Sequence, residues 1–296
     1  MIKKYDCKRS IAIGISSFLE IRKNNSIYVD KTDIIQQILE PIPTKVSLIT
    51  RPRRFGKTLM LSVLSEFFDI DKNNKDLFID LKIYSNKELC KTWMNNYPVI
   101  SITFKDMCSL SFSDCILFFI EQVRDILYKF SYILSSDKIR KSDSDFIIEL
   151  EKKKPEIHDL KRALLVFLRA IYSYHRKNVI LLIDEYDVPL IYAWKCNFYE
   201  EMIDFLRSVL SSALKDNPYL NFGLLTGCLR VPKESIFTGV NNFRSYSISD
   251  TKYSSFLYPL MGRRWNASLS RLWGIYSAVF VDEDSIGRGT KPALNR

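Results

Sequence analysis

Four short runs of apolar and β-branched residues recur along the chain, each bounded by polar or turn-forming residues. They lie at 45–50 (KVSLIT), 98–104 (PVISITF), 179–183 (VILLI) and 220–226 (LNFGLLT). Runs this short and this continuously apolar read as strands covered on both faces, the pattern of a parallel sheet. Between and after them the apolar positions fall at helical spacing over 59–68, 113–134, 157–176 and 198–215. Strand alternating with helix predicts a doubly wound, mainly parallel α/β sheet, whose ligands bind beyond the carboxyl ends of the strands. Residues 113–177, between the second and third strands, read as helical throughout apart from a charged break at 149–155, and predict a helical insertion there.

Composition changes this picture little. The 296 residues are 47% hydrophobic and 26% charged, which excludes a low-hydrophobicity disordered chain, a collagen-like repeat and a disulfide scaffold. Six cysteines, at 7, 90, 108, 115, 196 and 228, form no C-x-x-C pair and read as thiols in a reducing compartment. The apolar stretches 115–120 and 163–168 are far shorter than the roughly 18 residues of a spanning helix. The basic N-terminus has no cleavage-site pattern, so no signal peptide is expected and the location predicted is cytoplasmic. The formal charge of +10 is spread along the chain, its longest basic run being the lysines at 152–154, and favours nucleic acid only weakly.

The residues with chemical potential cluster in two places. Arg51-Pro52-Arg53-Arg54-Phe55-Gly56-Lys57-Thr58 follows the first apolar run and opens a helical stretch. In a phosphate-binding loop of the G-x-x-x-x-G-K-[ST] kind, backbone N–H groups and the positive end of the helix surround phosphate. The Lys bridges phosphate oxygens and the Thr hydroxyl ligates magnesium. Gly56, Lys57 and Thr58 match, and Arg51 stands where the first glycine is expected. The third apolar run ends in Asp184-Glu185, a carboxylate pair suited to holding Mg2+ and to polarising an attacking water. Asp187 is placed to brace the same loop. His158 and His175 sit on helical stretches without metal spacing and read as packing or surface residues.

Five segments in one order carry a resemblance: Tyr28-Val-Asp-Lys-Thr32, the stretch 49–59 (ITRPRRFGKTL), Pro98-Val-Ile100, Leu182-Ile-Asp-Glu-Tyr-Asp187, and 226–237 (TGCLRVPKESIF) with Asn241-Asn242. Over residues 11–256 the chain resembles the AAA-ATPase-like family, in which Arg replaces the first glycine of the loop. The resemblance implies an AAA-type P-loop core that binds ATP with Mg2+. Its phosphate-binding residues would be Arg51 to Thr58, its metal ligands Thr58 and Asp184, and its catalytic residues Glu185, Thr226 at the γ-phosphate, and Arg230 or Arg207 for transition-state charge. A mid-helix surface ion pair is an equal reading of Arg207. A second copy of the chain is a candidate partner, and DNA is one through the nuclease-like domain, of PD-(D/E)XK type, that often follows this core.

The resemblance ends near Phe256, where composition also shifts. Residues 1–256 hold 25 Lys and 13 Arg, whereas 257–296 hold one Lys, five Arg and four of the nine glycines. The expected organisation is therefore a lead-in at 1–28, an ATPase-like domain at 29–256, and a divergent tail at 257–296, frame-shifted or disordered. Two functions compete: ATP hydrolysis to ADP and phosphate, for which Glu185 speaks, and a non-catalytic nucleotide-binding remnant, for which the tail speaks. A third, a nucleic-acid scaffold acting through charge alone, predicts steep salt dependence and no response to ATP.

Overall fold

A computed structural model of the protein describes residues 12, 14–39, 41–152, 155–229, 236–237 and 243–247. The four apolar runs form β1 (Val46–Thr50), β2 (Val99–Thr103), β3 (Val179–Asp184) and β4 (Leu220–Gly227), joined by a fifth strand, β5 (Phe243–Tyr246). The order across the sheet is β2-β3-β4-β1-β5, and every pairing is parallel. The pattern reading missed β5 because it is short, carries Arg and Ser, and buries only its last residue, lying at the edge of the sheet among the described residues.

The helices are α1 (Phe18–Lys23), α2 (Asp33–Leu39), α3 (Lys57–Phe68), α4 (Lys87–Trp93), α5 (Phe112–Lys129), α6 (Lys141–Lys152), α7 (Ile157–His175), α8 (Val188–Lys195) and α9 (Tyr199–Leu214). Local chemistry sets several ends. Ser111 caps α5 by accepting the Asp114 N–H, and Asn86 does the same for α4 through Leu89. Helix α5 stops at Lys129, short of its expected end, and the chain tightens into a 3₁₀ turn over Ser131–Ile133. Arg176, at φ 56°, ends α7 in the left-handed conformation while its N–H bonds Tyr172 O.

The sheet is covered on both faces. Along β3, Val179, Leu181 and Ile183 pack into one core with α5, α7 and α9, whereas Ile180 and Leu182 face the other core with α1, α2 and α3. Each such side chain contributes about 1.5–3 kcal/mol on full burial, which accounts for the unbroken apolar runs. Arg169 of α7 forks onto Asp143 of α6 at 2.8 and 2.6 Å, and Lys129 reaches the buried Asp69 at 2.6 Å. No helix among the described residues is long and apolar enough to cross a membrane.

From β1 the chain runs to the far edge at β2, returns through β3 and β4, and passes β1 to reach β5. The direction of winding thus reverses beside β1, and the loop leaving β1 opens into the crevice where such sheets take ligands. The expected tail at 257–296 and Arg230 lie outside the described residues.

Candidate functional site

Two features put the loop and the carboxylates together. The β3–β4 register sets Ile183 opposite Leu225, so the next residues, Asp184 and Thr226, are neighbours; the β1–β4 register sets Ile49 opposite Thr226 and Thr50 opposite Gly227. The ends of β1, β3 and β4 therefore meet, and β1 leads directly into the loop 51–56 and α3. Within that loop Arg54 and Gly56 take positive φ, 67° and 78°. A Cβ at Gly56 would meet nothing within 4 Å, so glycine is favoured there for its backbone and not for space.

Lys57 begins α3 and is buried. Its Nζ donates to Arg51 O at 3.1 Å and Pro52 O at 3.2 Å, and lies 3.3 Å from Cys228 Sγ. The Thr58 hydroxyl donates to Asp184 Oδ2 at 2.6 Å, and the Thr226 hydroxyl donates to Oδ1 of the same carboxylate. Both oxygens of a buried carboxylate are thus engaged by hydroxyls from two different elements, and Oδ1 also accepts the Glu185 N–H at 3.0 Å. Pro52, Arg53 and Arg54 are exposed, Phe55 is half-buried, and Arg51 is turned inward at 1% exposure.

Glu185 adopts φ 54°, a left-handed conformation that costs a non-glycine residue of order 1 kcal/mol. Burial is the main force raising its carboxyl above the ordinary carboxylate range. The neighbouring Asp184 and Asp187 push the same way, while Lys57 and Arg53 pull it down. The group is held in a strained position with an elevated proton affinity beside a buried lysine.

Asp187 braces the exit of β4, a segment the sequence reading did not assign to it: Oδ2 accepts the N–H groups of Cys228 at 2.9 Å and Leu229 at 2.7 Å. Tyr186, fully buried, adds a hydrogen bond from its hydroxyl to Leu229 O at 2.8 Å. The exit of β4 is thereby pinned to the turn after β3, which sets Cys228 against Lys57. Tyr186 and Cys228 were not singled out in the sequence. An aromatic inside an otherwise acidic motif was the available signal for Tyr186, while a single cysteine after a glycine offered none. Arg207 lies within α9 near Asp204, whose carboxyl is held down first by its hydrogen bond to Lys161 and then by the Lys161 and Arg207 charges. The ion pair formed there is Lys161 with Asp204, at 2.7 Å.

A parallel sheet of this order, with a Gly-Lys-Thr loop between its first strand and the following helix, is consistent with a P-loop-like α/β protein. The chain belongs to the AAA-ATPase-like family: a family model described as "Predicted AAA-ATPase" matches residues 12–237. It is also similar to an "Uncharacterized protein in vnfD 5'region" of Azotobacter chroococcum mcd 1, with 26% identity over 250 residues, 84% of this chain and 42% of that protein. The chain therefore spans less than half the length of that relative. No solved structure matches it. Family membership supports binding of ATP.

Proposed function

We propose that the chain binds ATP with Mg2+ in the crevice above β1, β3 and β4 and hydrolyses it to ADP and phosphate. The observation that carries this reading is the doubly bonded Asp184, which joins the Thr58 and Thr226 hydroxyls one step from a buried Lys57 and a strained Glu185. An oxygen-only donor set of hydroxyl and buried carboxylate fits a hard divalent cation. Thr58 and Asp184 would hold magnesium, whose charge would offset that of the phosphates.

The remaining roles belong to the chain's own groups. Lys57 Nζ exchanges its two backbone carbonyls for phosphate oxygens, a swap of neutral for charged acceptors that strengthens each bond. N–H groups at the start of α3, and the exposed Arg53 and Arg54, line the phosphates. Glu185 accepts the proton of the attacking water, the elevated pKa raising its basicity toward the working pH. Thr226 orients Asp184 and approaches the terminal phosphate, and Arg230 supplies positive charge there. The helices α5 to α7, between β2 and β3 on the face opposite α3, would be the inserted part of this fold. Self-association and DNA enter only through the family resemblance.

Binding of labelled ATP with magnesium to the intact chain tests this. Lys57→Ala should weaken binding at least about tenfold, or roughly 1.4 kcal/mol. Glu185→Gln should bind as the parent does and turn over more slowly. Equal affinities for parent and Lys57→Ala would remove the loop from the account, and a parent without turnover would reduce the protein to a nucleotide-binding module.

A further inference from the structure

We propose that Arg51 is a positioning residue, which fastens the root of the loop to the edge strand β5 and does not act as a phosphate ligand. The proposal rests on the nucleotide reading only in what it says about affinity.

Backbone conformation at 51 makes no demand for glycine. In the loop only Arg54 and Gly56 carry positive φ, so the first-glycine position is open to a side chain. The side chain it received is one of the largest fully buried in the described protein, at 1% exposure. A guanidinium taken out of water costs several kcal/mol unless hydrogen bonds replace its hydration. Here Nη1 donates to Thr50 O at 2.8 Å and to Tyr246 O at 3.1 Å. The residue's own N–H donates to Gly227 O at 3.0 Å. One residue thus ties β1 to β4 on one side and to β5 on the other.

The position of these bonds is informative. The β1–β5 ladder ends at Ile49 opposite Tyr246, with Thr50 beyond the last pair. The guanidinium takes over where the ladder stops, bridging the carbonyls of both strands at the ligand end of the sheet. The carbonyl of Arg51 is itself an acceptor of Lys57 Nζ at 3.1 Å. Any shift of Arg51 away from β5 therefore moves the group that places the lysine. Both bonds leave one nitrogen, Nη1, whose two N–H groups lie fixed in the guanidinium plane, one for each strand's carbonyl; a lysine Nζ, on a shorter stem and without that plane, ends short of the same point. Strand β5, at the edge of the described sheet with β1 as its ladder partner, depends on this brace for its hold on the loop.

Hydrogen exchange without nucleotide tests the brace in the full chain, comparing the parent with Arg51→Ala and Arg51→Lys. Arg51→Ala should raise exchange about tenfold in 49–57 and 243–247 and leave β3 and α7 at parental protection. Arg51→Lys should behave like the alanine variant, and added methylguanidine should restore protection to Arg51→Ala. ATP affinity should fall about tenfold in both variants with an unchanged dependence on salt. Parental exchange in Arg51→Ala, with weaker ATP binding and a shallower salt dependence, would make Arg51 a phosphate ligand and overturn the proposal. Exchange rising evenly over the whole fold, without methylguanidine rescue, would overturn it too. Should the parent bind no ATP, the nucleotide reading falls, and the exchange comparison still decides the brace.

Discussion

Replacing Asp187 is the most direct probe of how the β4 exit is held. Its Oδ2 accepts two backbone amides, at 2.9 and 2.7 Å, from a site only 1% exposed. A hydrogen bond to a charged acceptor contributes about 1.5–3 kcal/mol, so Asp187→Ala forfeits two of them. Part of that loss is offset. Oδ1 is buried without a hydrogen-bond partner, and the charge sits close enough to Glu185 to push its carboxyl up, so removing it relieves desolvation and repulsion. A net destabilisation of about 2–3 kcal/mol follows, which for a chain of this size lowers the thermal midpoint by roughly 3–5 °C. Asp187→Asn keeps a carbonyl oxygen for both amides and should cost about 1 kcal/mol. Thermal unfolding followed by circular dichroism, without nucleotide, measures both. ATP affinity should fall with stability in the alanine variant, because freeing Cys228 and Leu229 loosens the wall beside Lys57. An alanine variant that melts with the parent, or an asparagine variant that melts as low as the alanine one, would refute the reasoning.

Three further outcomes follow from the same geometry. A carboxyl raised in the folded state favours folding below its unfolded pKa and loses that contribution as pH rises through the folded value. Glu185→Gln should therefore melt above the parent at neutral and alkaline pH and converge with it near about pH 4. A Cβ at Gly227 would sit 2.6 Å from Asp187 Oδ1 and from the pinned ring of Tyr186, whereas one at Gly223 would meet a flexible Leu214 methyl at 2.8 Å. Gly227→Ala should thus cost about 2–3 kcal/mol in denaturant titration and Gly223→Ala distinctly less. Asp143→Ala strips the partner from the fork of Arg169, and should destabilise by about 3 kcal/mol with faster hydrogen exchange along α6.

Much of the fold was legible because parallel strands buried on both faces write themselves as apolar runs. β1 to β4 lie within a residue or so of the expected spans, and α3, α7 and α9 near theirs. The candidate chemistry was legible for a related reason. A phosphate loop needs a tight turn, a lysine and a hydroxyl in fixed sequence spacing, and Gly56, Lys57 and Thr58 are contiguous. Asp184 and Glu185 were marked by two carboxylates ending an otherwise unbroken apolar strand.

What the tertiary structure alone decided depends on partners distant in sequence. The meeting of Thr226 with Asp184 required the β3–β4 register, across 42 positions, and the placement of Cys228 against Lys57 required the brace from Asp187 and Tyr186. Strand β5 escaped the pattern because, with one strand neighbour among the described residues, it has little apolar surface to declare. The inward turn of Arg51 was equally hidden. An arginine in a basic loop reads as solvated or phosphate-facing, and only the carbonyl of Tyr246, 195 positions away, supplies the buried acceptor that reverses that reading. Local spacing determines which groups are available, whereas long-range pairing determines the directions in which they point.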